Sequence, residues 1–278
     1  MPEVIRQRLR CPSCREAALA LRDNGLVCQT CKAAYPRVDG VLDLTRGVSL
    51  PPLRMYEDPH YLKWRTMLSD AQDYFYQNPL VAWVQNAGHR RIRAIVEKMR
   101  PEAVLDIGCG EGAHLPFVRD RRQYCGLDID QPSLVKLGKR FPDACALRAD
   151  GFNLPFQDDS FDCIINIYNL EHMVFLDLAL EEIERVLAPG GSILVSVPSV
   201  GSPVAGLARW FSSRRQFQSN DFDYDRVSDL EHVNTIDQLE RSFRRHFIIH
   251  ERKLFPFPVP MLSLSLIATY VMQSRTRS

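Results

Sequence analysis

The sequence lacks most features that would commit a protein to a membrane, to secretion or to nucleic acid. Its longest apolar-looking stretch, PMLSLSLIATYVM, is short and interrupted by serines, so we do not expect it to span a bilayer. The first residues, MPEVIRQRLRCPSC, lack the apolar segment of a secretion signal, and we expect a cytoplasmic protein. The formal net charge is only +1, so no overall field attracts nucleic acid.

The composition is that of a globular chain with one large domain and a smaller unit. The chain has 278 residues, of which 45% are hydrophobic and 25% are charged. Four of its eight cysteines form two CxxC pairs. The other four lie among apolar residues, and we expect them to be small buried side chains: Cys109, Cys125, Cys145 and Cys163.

The two CxxC pairs predict a metal site. Cys11, Cys14, Cys28 and Cys31 present four thiols from two tight turns, with thirteen residues between the pairs. Four thiolates complete a tetrahedral zinc site and leave no position for water, so we expect a structural ion. The intervening AALALRDNGLV predicts two short strands around a turn. Zinc would supply the stability that such a short segment lacks.

The residues after the second pair, AAYPRVDGVLDL, extend this pattern. Residues 9–45 resemble the zinc-ribbon family found as activator subunits of RNA and protein methyltransferases, and fused ahead of bacterial methyltransferases. We therefore predict a zinc ribbon over residues 1–48 and a second domain over residues 49–278, joined at the proline-containing stretch 46–54. We expect the second domain to bind its ligand without the ribbon.

The stretch VLDIGCGEG, residues 104–112, is the centre of a predicted ligand site. An apolar strand ends at Asp106, and Gly108, Gly110 and Gly112 follow in a turn that lets backbone N–H groups approach a ligand. A dinucleotide site would need GxGxxG, and Asp106 would repel a pyrophosphate. A P-loop would need a lysine after the glycines. An aspartate suits the amino group and sulfonium of S-adenosylmethionine instead.

Strands and helices alternate from residue 103 onward, which predicts a doubly wound α/β sheet with its ligand at the carboxyl ends of the strands. Asp128 and Asp150 end the second and third predicted strands, and INIYNLEHM ends the fourth. In this order, residues 78–200 closely resemble class I S-adenosylmethionine-dependent methyltransferases. The resemblance implies a Rossmann-like sheet of seven strands whose last pair is antiparallel.

The resemblance also implies the roles of individual residues. The glycine loop contacts the methionine part of the cofactor, one carboxylate binds the ribose and a second binds the adenine amino group. Residues 49–278 become the methyltransferase domain, with a lead-in over 49–100 and an acceptor-side insertion over 199–234. The implied cofactor-binding residues are Asp106, Gly108, Gly110, Gly112, Asp128, Ile129, Asp150, Gly151, Phe152 and Asn166.

Two Glu-His pairs are candidates for acid–base chemistry. Glu171 and His172 follow the fourth predicted strand, and Glu231 and His232 precede a predicted helix. A hydroxyl acceptor needs a general base, for which we predict His172 or His232, with Glu171 as a further catalytic candidate. The alternative for His172 is a structural ring bonded to backbone. Tyr168 stands where some relatives carry a metal-binding glutamate, which argues against a catalytic metal.

The acceptor is predicted from the insertion, where apolar side chains are edged by arginines. Such a face suits a lipid-linked or other amphiphilic acceptor, or shallow contact with an anionic membrane surface. We predict O-methylation of a small, glycan or lipid-linked acceptor. The alternatives are base methylation of rRNA or tRNA, and a non-catalytic scaffold. The apolar residues, which could instead pack the insertion onto the domain, and the arginines are Val204, Leu207, Trp210, Phe211, Arg209, Arg214 and Arg215.

Overall fold

The computed structural model describes residues 1–45, 58–63, 79–211, 223–256 and 261–275. The proposed hinge at 46–54 and most of the lead-in lie outside the described residues. Residues 212–222 of the insertion, with Arg214 and Arg215, and the side chains of Arg209, Trp210 and Phe211 also lie outside them. Within the described ranges, no helix combines the length and apolar character needed to cross a bilayer.

The N-terminal segment folds as a helix followed by two successive hairpins. Strands β1 and β2 pair antiparallel around the turn at Asp23 and Asn24, as the sequence predicted. The second hairpin turns at Asp39 and Gly40, whose φ angles of 49° and 84° lie in the left-handed region. The elements are α1 (Glu3–Arg8), β1 (Leu19–Arg22), β2 (Gly25–Cys28), β3 (Ala34–Val38) and β4 (Val41–Asp43).

The central part of the chain alternates helices with strands. Its strands are rich in buried apolar residues, as expected for parallel strands covered on both faces. The elements are α2 (Pro79–Met99), β5 (Val104–Ile107), β6 (Tyr124–Asp128), α3 (Gln131–Arg140), β7 (Cys145–Arg148), β8 (Phe161–Ile167), α4 (Leu176–Val186) and β9 (Leu187–Pro198).

The last part contains two helices of the insertion, one covering helix and the final strand pair. The covering helix begins with a capping box between Thr235 and Gln238, which fixes its first turn. The elements are α5 (Pro203–Phe211), α6 (Tyr224–Glu231), α7 (Ile236–His246), β10 (Phe247–Phe255) and β11 (Ile267–Ser274).

The strands from β5 onward form a sheet in the order β7-β6-β5-β8-β9-β11-β10. Strands β5 to β9 pair in parallel, and β11 runs antiparallel to both β9 and β10. The predicted α/β class and the antiparallel last pair are confirmed, and the seven strands expected are part of an eleven-stranded sheet. Its order reverses between β5 and β8, so the carboxyl ends of these two strands face a crevice suited to a ligand.

The sheet is larger than predicted, because the N-terminal strands extend it. Strand β4 pairs in parallel with β7, with Leu42 opposite Leu147 and Asp43 opposite Arg148. Without β4, the backbone of β7 would be an open sheet edge, and the fully buried β4 covers it.

Helix α1 and the residues after it also join the main domain. The backbone of Arg10 donates to the carbonyl of Pro155 at 3.0 Å, and Gln157 donates to the carbonyl of Arg8 at 2.7 Å. The Arg10 guanidinium forms a buried ion pair with Glu182 at 3.3 Å. Apolar side chains of both parts belong to one core cluster. The ribbon and the sheet are therefore packed as one unit.

Candidate active site

The glycine loop after β5 has a backbone that only glycine adopts readily. Gly108, Gly110 and Gly112 have φ angles of 72°, 51° and 77°, all in the left-handed region. A Cβ on Gly108 would lie 2.6 Å from Cγ of Asn169, so the amide of Asn169 sits directly on the loop. The loop therefore lies between the ends of β5 and β8.

Asp128, at the end of β6, holds the same loop. Its Oδ2 accepts from the backbone N–H of Gly110 at 2.8 Å, and its Oδ1 accepts from that of Asp130 at 2.9 Å. Each carboxylate oxygen has a second lone pair that a hydroxyl can use. Ile129 follows, and its carbonyl accepts from Nε of Arg148 at 3.1 Å. The predicted ribose acid thus also fixes the glycine loop.

Asp106 is buried beneath the loop and takes part in an interior network. Its Oδ2 accepts from the hydroxyl of Tyr124 at 2.9 Å and from Nδ1 of His114 at 3.1 Å. Nε2 of His114 lies 2.9 Å from Nδ1 of His89. Burial lowers the pKa of His89 to about 4, so this ring is neutral near pH 7. The sequence did not indicate these partners, and contact of Asp106 with the cofactor stays a prediction.

The residues after β7 and after β8 meet at the predicted adenine end. Burial raises the pKa of Asp150 above its ordinary value, and its Oδ1 accepts from the backbone of Phe152 at 3.0 Å. A Cβ on Gly151 would lie 2.8 Å from Cε of Met173. The ring of Phe152 contacts that of Phe175 with centroids 5.8 Å apart. Asp150, Gly151 and Phe152 therefore lie together.

Three polar side chains near the end of β8 and just after it have buried atoms with no hydrogen-bond partner among the described residues. They are both amide atoms of Asn166, Nδ2 of Asn169 and Oε2 of Glu171. Buried polar atoms are nearly always paired, so this cluster beside the glycine loop indicates a polar ligand. Asn166 was predicted at this place. Asn169 was not, although its position three residues after Asn166 is a usable signal.

The two Glu-His pairs come together although they are far apart in the sequence. Nδ1 of His172 donates to the carbonyl of Glu231 at 2.5 Å, and the rings of His172 and His232 have centroids 5.1 Å apart. Oε1 of Glu171 lies 3.6 Å from Nε2 of His172. The backbone bond predicted as the structural alternative for His172 is therefore present, inside a cluster of titratable side chains.

The charges within this cluster are set by burial and by its own members. Burial raises the pKa of Glu171 to about 7, and the adjacent His172 opposes that rise. Burial lowers the pKa of His172, but the carboxylates of Glu171 and Glu231 outweigh it and hold that pKa above its ordinary value. Near neutral pH, Glu171 therefore populates both its protonated and its ionised form.

Glu171→Gln is expected to flatten the pH dependence of stability. Because the folded pKa of Glu171 is raised, the unfolded chain releases this proton first, and the free energy of unfolding falls as pH rises from about 4.5 to 7. The raised pKa of His172 acts in the same direction. We expect wild type to lose about 2–3 kcal/mol more than the variant between pH 5 and pH 8.

Denaturant unfolding at both pH values measures this loss. Glu181→Gln on the exposed face of α4 is the matched control, because it removes a carboxylate that faces solvent. Equal pH dependence in wild type and Glu171→Gln would contradict the raised pKa of Glu171.

The four N-terminal cysteines converge on one point. Their Sγ atoms all lie within 4.8 Å of one another, with 3.6 Å between Cys11 and Cys31 and between Cys14 and Cys28. A tetrahedron with metal–sulfur bonds of about 2.3 Å has edges of roughly 3.8 Å. In the part of the chain that the structure describes, no other group of potential metal ligands converges in this way.

The two cysteine turns are built alike. In each, the residue four positions after the first cysteine donates its backbone N–H to that cysteine's carbonyl, from Arg15 to Cys11 at 2.7 Å and from Lys32 to Cys28 at 3.0 Å. Both donors have a φ angle of 65°. Two equivalent turns that face each other with four thiols fit a tetrahedral ion such as zinc.

A family model described as a methyltransferase domain matches residues 105–195. Residues 105–195 therefore carry a methyltransferase domain, and curated relatives of the chain are named as S-adenosylmethionine-dependent methyltransferases. The matched range begins in β5 and ends in β9, and it includes the glycine loop, Asp128, Asp150, Asn166 and the first Glu-His pair.

Curated relatives match the methyltransferase domain over part of their length. The human protein named probable tRNA methyltransferase 9B is 33% identical over 124 residues, which are 43% of this chain and 26% of the relative. The phthiotriol/phenolphthiotriol dimycocerosates methyltransferase of Mycobacterium tuberculosis is 37% identical over 93 residues, 32% of this chain and 34% of the relative. The match thus spans about a quarter of the length of the first relative and about a third of the length of the second.

A solved structure matches the fold of the methyltransferase domain. It is a SAM-dependent methyltransferase of Thermotoga maritima, described as a possible histamine N-methyltransferase, with a TM-score of 0.50 and 18% sequence identity. The alignment covers 77% of this chain and 99% of that one. At this identity the similarity concerns the fold alone.

Proposed function

We propose that the chain transfers the methyl group of S-adenosylmethionine to a hydroxyl of a small, glycan or lipid-linked acceptor. The observation that carries the proposal is the cluster of Glu171 and His172, which follow β8, with His232, which follows α6. A hydroxyl must lose its proton as it attacks the methyl group, and a positioned histidine can accept that proton. The second relative, named for a dimycocerosates acceptor, supports a lipid-linked substrate.

The crevice offers the groups that the cofactor requires. When bound, the cofactor supplies an electrophilic methyl group on a sulfonium. Asp128 would accept from the ribose hydroxyls, and Asp150 would accept from the adenine amino group. Both amide atoms of Asn166 and Nδ2 of Asn169 would bond the amino and carboxylate groups of the methionine part. Holding the methyl group and acceptor in line supplies most of the rate enhancement.

We assign the base to the histidine pair. Nδ1 of His232 lies 3.0 Å from the carbonyl of Ser228, and a carbonyl only accepts, so Nδ1 carries the proton and Nε2 carries the lone pair in the neutral ring. His172 has a raised pKa and holds positive charge more readily. We therefore place His232 as the base and His172 beside it, although the sequence favoured neither.

We also propose that Cys11, Cys14, Cys28 and Cys31 hold one structural zinc ion. The converging thiols and the two equivalent turns support this assignment. Four thiolates fill the coordination sphere, so the ion has no open position for chemistry. Its role is to stabilise the ribbon that covers the edge of β7.

Methylation of rRNA or tRNA bases is the second candidate. The relative named as a tRNA methyltransferase and the N-terminal ribbon favour it. The net charge of +1 argues against it, because RNA-binding surfaces are usually basic.

A transfer assay distinguishes the two candidates. The purified chain is incubated with cofactor labelled in its methyl group, together with a lipid extract, a glycan fraction or total RNA. We expect label in the lipid or glycan fraction. Label in RNA alone would overturn the proposal and establish the second candidate.

Asp128→Ala is expected to weaken cofactor binding by about 1.5–3 kcal/mol, which is roughly 10- to 150-fold in Kd. The substitution removes the predicted ribose contacts and the acceptor that holds Gly110. Calorimetry with S-adenosylmethionine measures the change. Asp120→Ala is the control. Asp120 caps the short helix Arg121–Gln123, which precedes β6, so it lies at the other end of this strand from Asp128. Equal affinity in both variants would contradict the assignment.

A further inference from the structure

A groove lies between the start of α4 and the start of α7, outside the predicted cofactor site. Its volume is about 550 Å³, which is within the range of small-molecule sites. Val174, Phe175 and Leu178 line it from the α4 side. From the α7 side it is lined by Gln238 and Arg241, among others. The groove thus has an apolar wall and a polar wall.

The apolar wall is unusually open to solvent. Val174, Phe175 and Leu178 are each nearly half exposed and lie within five residues of one another. Exposed apolar side chains that cluster and are rimmed by polar residues mark binding surfaces. Phe175 also contacts Phe152 of the predicted adenine end, so this wall continues into the cofactor site.

The polar wall carries net positive charge. Arg241 has no ion-pair partner within the part of the chain that the structure describes. Arg245 bonds both oxygens of Asp177 at 3.0 Å and the hydroxyl of Ser242 at 2.8 Å. Arg241 and Arg245 line the groove together with one carboxylate, that of Asp177. Because Asp177 is paired with Arg245, Arg241 is available for an anion.

One residue connects the groove to the Glu-His cluster. Asn234 lines the groove, and its backbone N–H donates to the carbonyl of Glu171 at 3.1 Å. Its side-chain Nδ2 donates to the carbonyls of Met173 at 2.7 Å and Leu170 at 3.2 Å. Asn234 therefore contacts both the groove and the backbone that carries Glu171.

We propose that this groove binds a single-chain amphiphile with a phosphate head group. The hydrocarbon chain lies on Val174, Phe175 and Leu178, and the phosphate is bound by Arg241 with Gln238 as an additional donor. Guanidinium groups match the geometry of phosphate oxygens, and an apolar wall excludes inorganic phosphate as the preferred ligand. The inference rests on the proposed function in one respect. The amphiphile is either the methyl acceptor itself or the molecule to which the acceptor group is attached.

Direct binding to the full chain tests the groove. Dodecyl phosphate below its micelle concentration is titrated by calorimetry, with dodecyl maltoside and inorganic phosphate as comparison ligands. We expect saturable binding of dodecyl phosphate, at least tenfold tighter than either comparison. Arg241→Gln and Leu178→Ser are each expected to weaken it about tenfold. Lys139→Gln, on the exposed part of α3, is the control and should bind as wild type does.

Several results would contradict the proposal that the groove binds a phosphate-bearing amphiphile. They are equal binding of dodecyl phosphate and dodecyl maltoside, binding that Arg241→Gln leaves unchanged, or binding of an RNA oligonucleotide that is lost in Arg241→Gln while dodecyl phosphate does not bind. Thermal unfolding of each variant separates a local effect from loss of the fold, since both side chains lie on the surface.

Transfer assays separate this inference from the proposed function. If the chain binds dodecyl phosphate through Arg241 but labels only RNA, the binding role of the groove is supported and the proposed acceptor is wrong. If the chain methylates a small or lipid acceptor at the same rate in wild type and Arg241→Gln, and dodecyl phosphate does not bind, the proposed function stands and the groove is wrong.

Discussion

Cys28→Ser is expected to release zinc and to lower the Tm of the whole chain. Structural zinc supplies about 10–16 kcal/mol in small domains, and losing one of four thiolates forfeits part of it, of the order of 4 kcal/mol. For a protein of this size that corresponds to a fall in Tm of about 8–16 °C. Because β4 pairs with β7 and Arg10 pairs with Glu182, the ribbon and the sheet should unfold in one transition.

Elemental analysis and calorimetric unfolding measure both effects. Thr30→Ala is the matched control, because it changes the same turn and keeps all four thiols. An unchanged zinc content or Tm in Cys28→Ser would contradict the zinc assignment. Two separate transitions, with cofactor binding intact, would instead support an independent ribbon, which is what the sequence alone led us to expect.

The strands of the main sheet and their succession along the chain could be predicted because their signals are local. Each strand is a short apolar run with a polar residue at its end or within two positions of it. Asp128, Asp150 and Asn166 could therefore be assigned to strand ends before any contact was known. Parallel strands then bring their carboxyl ends to one edge of the sheet.

The partners of buried polar side chains could not be predicted in this way. The sequence did not indicate that the carboxylate of Asp106 bonds Tyr124 and His114 in the interior. The pairing of β4 with β7 was missed for the same reason. Such contacts join residues that are far apart in the sequence, and no local pattern encodes which distant group fills a given space.

The Glu-His pairs are an intermediate case. Both pairs were found from sequence as candidates, yet their proximity depends on how α6 returns to the end of β8. The hydrogen bond from His172 to the carbonyl of Glu231 joins the end of α6 to the segment after β8. Local sequence therefore identified the two candidate pairs, and tertiary packing brings their histidine rings together.

His232→Gln is expected to lower kcat by about 10²- to 10⁴-fold, the usual contribution of a positioned general base. The affinity for S-adenosylmethionine should not change. His172→Gln should lower kcat by a smaller factor and move the rise of kcat/KM to higher pH. This shift follows because a cationic His172 disfavours a second positive charge on its neighbour, and its removal lets the base retain a proton at higher pH.

Single-turnover rates and pH profiles on the acceptor fraction that wild type labels measure these effects. His250→Gln is the matched control, because His250 is an exposed histidine on β10, outside the Glu-His cluster. A larger loss in His172→Gln than in His232→Gln would reverse the two roles. Full kcat in both variants would exclude a histidine base. Either Glu171 would then be the base, which the kcat of Glu171→Gln tests, or the acceptor atom would need no base, as a ring nitrogen does, and the proposed hydroxyl acceptor would be wrong.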